Sequence, residues 1–197
     1  MKALIAIAVL VLILLAIFGS YVSAKNQMVT KNEAVKSTWS QVDVVLQRRA
    51  DLIPNLVETV KGIAGQEQTV FGEIAKARSA LLSASSPADK IAANRQLDVG
   101  LGRLLAIAEN YPQLRSSENF LKLQDELAGT ENRIAVERMR FNESVQQYDT
   151  AIRKFPTMLW AGVANFHPKP YFQAATGAET PPKVNFDFGK PAAPAKP

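Results

Sequence analysis

The sequence predicts an all-α protein in which an N-terminal transmembrane helix precedes an elongated antiparallel four-helix bundle. Positions 3–18 form an unbroken run of sixteen apolar residues, and beyond it apolar residues recur every three or four positions. Residues 165–197 hold seven of the eleven prolines, so the helical region is expected to end before them. We therefore divide the 197 residues into an anchor (1–25), a helical bundle (26–164) and a tail (165–197).

The apolar run has the length of a membrane span. A helix over residues 3–24 would be roughly 33 Å long, enough to cross a hydrocarbon core of about 30 Å. Lys2 and Lys25 bracket the run, and Tyr21 falls where interfacial aromatic residues are common. The alternative is a cleaved signal peptide, because residues 22–24 (Val-Ser-Ala) resemble a cleavage site. We favour a retained single-pass anchor because the apolar run is long for a signal peptide.

The flanking charges and the signal-like start disagree about the side of the membrane. Lys2 precedes the span whereas Lys25, Lys31 and Lys36 follow it, and the positive-inside rule then predicts a cytoplasmic bundle. The resemblance of the start to a signal sequence predicts an exported bundle. We place the protein in the inner (cell) membrane and favour the exported side.

The first bundle helix contains a proline. Its apolar stripe comprises Val35, Trp39, Val42, Leu46, Arg49, Leu52, Ile53, Leu56, Val60 and Ile63. Pro54 lies within this stripe and removes the main-chain hydrogen bond to the Ala50 carbonyl. Two accounts remain open: one long helix kinks at Pro54, or a new helix begins at Asp51 with Pro54 in its first turn.

The apolar stripe of the first helix continues towards the middle of the chain, where the next helix is predicted. The stripe continues through Val70, Phe71, Ile74, Ala77 and Leu81 until Ser83–Pro87 ends it. Asp89 is the predicted N-cap of the next helix, which carries Ile91, Leu97, Leu101, Leu104, Leu105 and Ala108. That helix is expected to stop before Tyr111-Pro112.

The last helix has the most regular pattern in the chain. Ser116 or Ser117 is its predicted cap, and it extends over about 39 residues to Phe155. One row of residues seven apart contains Phe120, Leu127, Ile134, Phe141, Tyr148 and Phe155, and a second row contains Gln124, Glu131, Arg138, Val145 and Ile152. Two such rows are typical of a coiled-coil-like helix packed in a bundle, so we interpret the aromatic residues as core.

Charged residues on the apolar stripes predict an ion pair. Arg49 lies on the stripe of the first helix, and Glu131 and Arg138 lie on the second row of the last. An unpaired buried charge is unfavourable by several kcal/mol, so we expect Arg49 or Arg138 to pair with Glu131. In the alternative, the long side chains extend outward to water.

The tail is rich in aromatic residues. In residues 157–197, which include the tail, the candidates for contact with a membrane interface are Trp160, Phe166, Tyr171 and Phe172. In the alternative interpretation they pack back on the bundle. Beyond residue 176 the Gly, Pro, Ala and Lys composition predicts disorder, and alternating Val184, Phe186 and Phe188 are compatible with strand addition to another protein.

These residues together resemble the LemA family. The most specific match is Arg48–Val57 (RRADLIPNLV), followed by Val60-Lys61-Gly62. Supporting matches are Trp39, Glu109–Pro112, Glu131–Ile134, Arg138 with Asn142, Arg153–Pro156 and Pro170–Phe172. The resemblance covers the chain from the anchor to about Phe172. It implies a membrane anchor and an antiparallel four-helix bundle, and it implies no particular activity.

Composition excludes several kinds of chemistry. The chain has no cysteine and a single histidine, His167, which excludes disulfides, thiolate metal sites and multi-histidine metal centres. The carboxylates available for acid–base or metal chemistry are Asp51, Glu58, Glu67, Glu126 and Glu131, and no pair has a diagnostic spacing. We therefore expect no enzyme activity and no cofactor. Nucleic-acid binding is not expected either, because the Lys and Arg residues are not clustered with exposed aromatics.

The function that the sequence favours is a membrane-anchored, non-catalytic scaffold or interaction module. Its partners would be the lipid bilayer and either a second copy of the chain or another membrane protein. Arg48, Asp51 and Asn55 are the candidate partner surface, although the same motif is also explained if it only shapes the helix around the proline. The alternative function is a lipid-surface or membrane-shaping role, for which the basic excess of +5 and the aromatic tail are suited.

Overall fold

The computed structural model describes residues 1–172. Within them the chain forms six helices: α1 (Lys2–Ala64), α2 (Gln68–Ser83), α3 (Pro87–Glu109), α4 (Pro112–Arg115), α5 (Glu118–Arg153) and α6 (Thr157–Ala161). The predicted disordered end and the strand-like Val184, Phe186 and Phe188 lie outside the described residues. The all-α fold class, with its apolar first helix and four-helix bundle, is confirmed.

Helix α1 joins the apolar segment to the bundle without a break. It has 63 residues, so its length is roughly 95 Å at 1.5 Å per residue. No glycine or proline occurs between Gly19 and Pro54, so the sequence contains no strong helix breaker where the anchor meets the bundle. Pro54 lies inside the helix, so of the two open accounts the one in which a new helix begins at Asp51 is wrong.

The apolar start of α1 has no intramolecular partner. Leu4 is 71% exposed, and Leu12 and Phe18 are each 65% exposed. The other large apolar side chains of this run are exposed to similar degrees. Among the described residues, α1 is the helix that is long and apolar enough to cross a membrane. An apolar surface of this size facing outward fits a membrane-anchored protein.

The bundle consists of α1, α2, α3 and α5, which pack side by side. Each of these four helices runs antiparallel to the one before it. The closest partners are α1 with α5 and α2 with α3. Contacts between α1 and α5 join residues whose numbers rise on one helix and fall on the other, such as Lys31 with Gln147 and Arg49 with Glu131. The anchor end of the bundle is therefore where α5 finishes and α6 follows.

The ends of the middle helices differ from the prediction. The stripe that joins α1 to α2 conceals a turn at Gly65–Glu67, because the apolar spacing keeps its phase across the turn. Ser86, not Asp89, caps α3: its hydroxyl accepts a hydrogen bond from the Asp89 amide at 3.1 Å and donates to the Asp89 carboxylate at 2.6 Å. The predicted cap, Asp89, is therefore the third residue of the helix and lies inside its first turn. Ser117 caps α5, as one of the two predicted alternatives.

The heptad rows of α5 lie mostly in the core, and their exposed members are Gln124 near the start of the helix and Phe155 just past its end. Ile134, Phe141 and Tyr148 are buried in the core, and Phe120 is buried near the start. Phe155 is 76% exposed, and its assignment to the core is wrong because α5 ends at Arg153, before the last heptad is complete. Gln124 of the second row is also exposed, near the end of the bundle that is farthest from the anchor.

Gly100 lies where α2 and α3 approach each other closely. A Cβ atom on Gly100 would lie 2.9 Å from Cγ1 of the buried Ile74, whereas one on Gly102 would meet nothing within 4 Å. The absence of a side chain at Gly100 therefore allows the two helices to pack together.

Candidate functional site

A charged cluster lies in the middle of the bundle, where three helices meet. Arg49 Nη1 of α1 lies 2.6 Å from Asp98 Oδ1 of α3 and 2.9 Å from Glu131 Oε2 of α5. It also donates a hydrogen bond to Asn94 Oδ1 of α3 at 3.0 Å. The structure thus brings Arg49 and Glu131 together and ties both to α3.

Among the three charged groups of this cluster, the cation is the buried one. The Arg49 side chain is 7% exposed, whereas Asp98 and Glu131 are 38% and 45% exposed. Asn94 is fully buried and bridges Arg49 to Asp98, since its amide nitrogen lies 3.3 Å from Asp98 Oδ2. The arrangement neutralises a buried guanidinium from the water side, as burial of a charge requires.

Burial shifts two pKa values in the cluster. Partial burial raises the pKa of Asp98, and the nearby Glu131 carboxylate adds to this effect while Arg49 opposes it. Burial also lowers the pKa of Arg138, against the opposing effect of Glu131 and Asp98. Two carboxylates and two guanidinium groups are therefore electrostatically coupled here.

Arg138 ends on an aromatic ring. Its Cζ lies 4.3 Å from the ring centroid of Phe172, which is a close cation–π contact. Phe172 is only 4% exposed. Its main-chain amide donates a hydrogen bond to Asn142 Oδ1 at 2.7 Å, and its carbonyl accepts one from Asn142 Nδ2 at 2.9 Å. The prediction that Phe172 lies at a membrane interface is therefore wrong, because the ring is part of the bundle.

The segment 166–172 is fastened along α5. The Tyr148 hydroxyl donates to the His167 carbonyl at 2.9 Å, and burial raises the pKa of this tyrosine. The Lys169 amide donates to Asp149 Oδ1 at 3.1 Å. Phe166 is half-buried, with its ring 6.5 Å from that of Tyr148. These contacts agree with the alternative in which the first part of the tail packs on the bundle.

Trp160 occupies a different position, beside the anchor. Its ring meets that of Tyr21 edge-on at 5.5 Å between centroids, and its Nε1 lies 3.4 Å from Ser20 Oγ. Ser20 follows the last residue of the apolar run, Phe18, by only two positions. Trp160 and Tyr21 therefore form an aromatic pair at the level where the apolar run ends.

The most specific sequence match divides into an inward half and an outward half. Inside, Arg49 enters the charged cluster, and the Ala50 carbonyl that Pro54 leaves free accepts a hydrogen bond from Arg78 Nε of α2 at 2.7 Å. That bond satisfies a buried carbonyl, as the interior of a protein requires. The inward half is thus explained by packing.

The outward half has no comparable explanation. Arg48, Asp51 and Asn55 are all exposed on the side of α1 that faces away from the core. Asp51 accepts a hydrogen bond from the neighbouring Gln47 at 3.1 Å, which is a local surface contact. These three candidate partner residues are therefore available to another molecule.

A groove of about 590 Å³ opens between the start of α3 and segment 166–172. Its walls are mainly apolar, with Trp39 and Phe141 meeting edge-on at 5.3 Å between centroids and with Tyr171 at one side. The charged residues that line it are Lys36, Arg95 and Lys169, and none of its described lining residues is acidic. The groove is suited to an apolar group, and its basic edge includes Lys36, which already pairs with Glu33 at 2.7 Å.

Asn94, Asp98 and Arg78 were not identified from the sequence. Asn94 is three residues from both Ile91 and Leu97, so a buried polar residue on the α3 stripe was the available signal. Arg78 carried no such signal, because its partner is a main-chain carbonyl on another helix. Within residues 1–172 no group of three or more His, Asp and Glu side chains is placed to hold a metal ion.

Comparison with known proteins gives one family. The LemA family model matches residues 38–186, about three quarters of the chain. The magnetosome protein MamQ of Magnetospirillum gryphiswaldense is 29% identical over an alignment that covers 89% of this chain and 74% of the relative. A magnetosome protein MamQ 2 of Paramagnetospirillum magneticum is 27% identical, with 87% and 72% covered. Protein LemA of Metamycoplasma hominis is 23% identical, with 79% and 71% covered.

Proposed function

Since the chain belongs to the LemA family, we propose that it is a single-pass membrane protein whose bundle serves as a non-catalytic scaffold or interaction module. The observation that carries this proposal is the continuity of α1, which contains both the apolar segment and the first bundle helix. A continuous helix transmits position and orientation, so surfaces on the bundle are held at defined distances from the bilayer.

The contacts within the charged cluster support a structural role for its charged groups. The carboxylates of Asp98 and Glu131 both face the same arginine, which holds α1, α3 and α5 in register. We therefore assign the cluster to bundle architecture and look for function on the surface.

Two surfaces are suited to a protein partner. The first is the outward face of α1 with Arg48, Asp51 and Asn55, which combines both signs of charge with an amide. The second is the groove, whose apolar walls and basic lining favour an apolar segment with an acidic residue. Either surface would hold a second copy of the chain or another membrane protein.

Site-specific photo-crosslinking in native membranes tests this proposal. A photoreactive residue at Asn55 probes the outward face, and one at Tyr171 probes the groove. Glu126 is the matched control, because it is exposed on α5 at about the same level of the bundle as Asn55. We expect a discrete protein adduct from at least one of the two test positions and none from Glu126. Absence of a protein adduct at both test positions would contradict the interaction module.

The side of the membrane is part of the proposal. The signal-like start of the chain favours export of the bundle through the inner membrane. A C-terminal alkaline phosphatase fusion, which is active only outside the cytoplasm, should be active, and a matched fluorescent fusion that folds only in the cytoplasm should be dark. The reverse pair of results would place the bundle inside.

A further inference from the structure

We infer that a collar of exposed apolar side chains around α6, formed by Phe155, Met158, Leu159 and Val163, inserts into the headgroup region of the same bilayer that the anchor spans. This inference rests on the proposed membrane anchoring. It concerns residues that sequence reasoning did not select, apart from Phe155, which it assigned to the core.

The collar is exposed although its residues are apolar. Phe155 and Val163 are 76% and 74% exposed, and Met158 and Leu159 are 54% and 55% exposed. All four fall within nine consecutive residues at one end of the bundle. Such a contiguous apolar group on a protein surface indicates an interaction site and is not the usual scatter of single exposed residues.

Helix α6 is fixed against the membrane end of α1. Thr157 and Ala161 are buried, and Thr157 Oγ1 lies 3.4 Å from Gln27 Oε1. One turn along, Trp160 contacts Ser20 and Tyr21. The side chains between these contacts, Met158 and Leu159, remain exposed.

The height of the collar identifies its partner as lipid. Ser20 lies two residues past Phe18, so Trp160 contacts α1 only about 3 Å along the helix from the end of the apolar run. The exposed apolar side chains of α6 therefore lie close to the level at which the exposed apolar surface of the anchor ends. At this level the surroundings of a membrane-anchored helix are headgroups and the first acyl carbons, where Trp and Tyr are enriched.

Basic residues border the collar. Lys25 places Nζ 6.0 Å from the ring centroid of Tyr21, and Arg153 and Lys154 immediately precede Phe155. Their side chains are suited to anionic headgroups above an inserted apolar edge. The collar gives the bundle a second contact with the bilayer beside the anchor, which would fix its tilt.

Depth-dependent quenching of Trp160 fluorescence tests the inference directly. The chain has two tryptophans, so Trp39→Phe leaves Trp160 as the single reporter in the full-length protein. The protein is reconstituted into phosphatidylcholine/phosphatidylglycerol vesicles that carry a bromine quencher either near the headgroup or deep in the acyl chain. We expect at least about a twofold loss of Trp160 emission with the shallow quencher and a smaller loss with the deep one.

The matched control is Trp160→Phe, which leaves Trp39 as the reporter. Trp39 lies 18 residues beyond Tyr21 on the same helix, about 27 Å farther from the membrane, and should be unquenched. Quenching of Trp160 no stronger than that of Trp39, in protein that stays with the vesicles through an alkaline wash, would overturn the collar but leave the anchor intact. Protein that leaves the vesicles in that wash would overturn both.

A second variant separates insertion of the collar from mere proximity to the anchor. Replacing Met158→Gln and Leu159→Gln together in the Trp39→Phe protein should reduce shallow quenching by about half. The control replaces two residues of similar exposure on the outer faces of the bundle, Val44→Gln and Met139→Gln, and should leave quenching unchanged. Equal quenching in the two double variants, or a collar protected from lipid by self-association, would contradict insertion.

Discussion

Replacing Arg49 with methionine should destabilise the bundle more than any other change at the charged cluster. The substitution leaves Asp98 and Glu131 facing each other without the cation that both contact. Removing one partner of a buried ion pair costs about 3–5 kcal/mol, but these carboxylates are 38% and 45% exposed and regain water, so we expect about 2–3 kcal/mol. Glu131→Gln should cost only about 1 kcal/mol, because Asp98 and Asn94 still contact the arginine.

A double-mutant cycle isolates the interaction between Arg49 and Glu131. The free energies of unfolding of the wild type, both single variants and the double variant are measured on the full chain in mild detergent micelles, by circular dichroism during urea titration. We expect a coupling energy of about 1 kcal/mol, since the two side chains are in contact. A coupling energy below about 0.3 kcal/mol would refute the reasoning, because the pair would then be no more than two neighbouring hydrated charges.

Three further changes test other contacts in the same assay. Gly100→Ala should destabilise the bundle by about 1 kcal/mol through overpacking, whereas Gly102→Ala in the same helix should stabilise it by up to about 1 kcal/mol, and equal effects would contradict the close approach. Arg78→Met should lower the free energy of unfolding by about 1–3 kcal/mol, because the Ala50 carbonyl loses its hydrogen bond. The loss should be smaller in a Pro54→Ala background, which restores a main-chain donor to that carbonyl. An equal loss in both backgrounds would show that Arg78 does not compensate for Pro54. Because the pKa of Asp98 is raised, its carboxyl group binds more protons in the native state than in the unfolded state at pH values above the ordinary pKa of 3.8. The stability that this protonation contributes is therefore lost as the pH rises from that value through the raised pKa. Asp98→Asn removes this loss, so the stability of the variant relative to wild type should increase as pH rises from about 4 towards neutrality, and a decrease would mean that the ion pair outweighs desolvation.

Most of the fold can be predicted from the sequence because one rule governs it: apolar residues recur every three or four positions. The rule also explains the failures. It keeps its phase across Gly65–Glu67, so it cannot reveal that α1 ends there. It also places Phe155 in the core as the last residue of the heptad row, because the spacing of apolar residues does not show that α5 ends at Arg153. Periodicity reports which face is apolar, whereas helix ends depend on caps and main-chain hydrogen bonds.

The charged cluster was predictable in part, for a related reason. Arg49 and Glu131 stand out because charges on apolar stripes need partners, and that argument requires no knowledge of the third helix. Asp98 is different: it lies beside the α3 stripe, in a position typical of an ordinary surface carboxylate. Its role follows only from the way α3 packs against α1, where Arg49 and Asp98 meet although they are distant in sequence.

The absence of helix breakers between Gly19 and Pro54 carries the argument from fold to function. A bundle tethered by a flexible linker would have no defined height above the membrane, and its surfaces would meet lipid and partners at random. In a continuous helix each residue adds about 1.5 Å of rise and about 100° of rotation. The position of a residue along α1 therefore sets both its height above the membrane and the direction in which it faces. The register places α6 beside Ser20, where the apolar run ends, and it places the groove at Trp39, about 28 Å beyond. One surface is thus suited to lipid and the other to a partner beyond the headgroups, which is the arrangement that a rigid membrane-anchored scaffold requires.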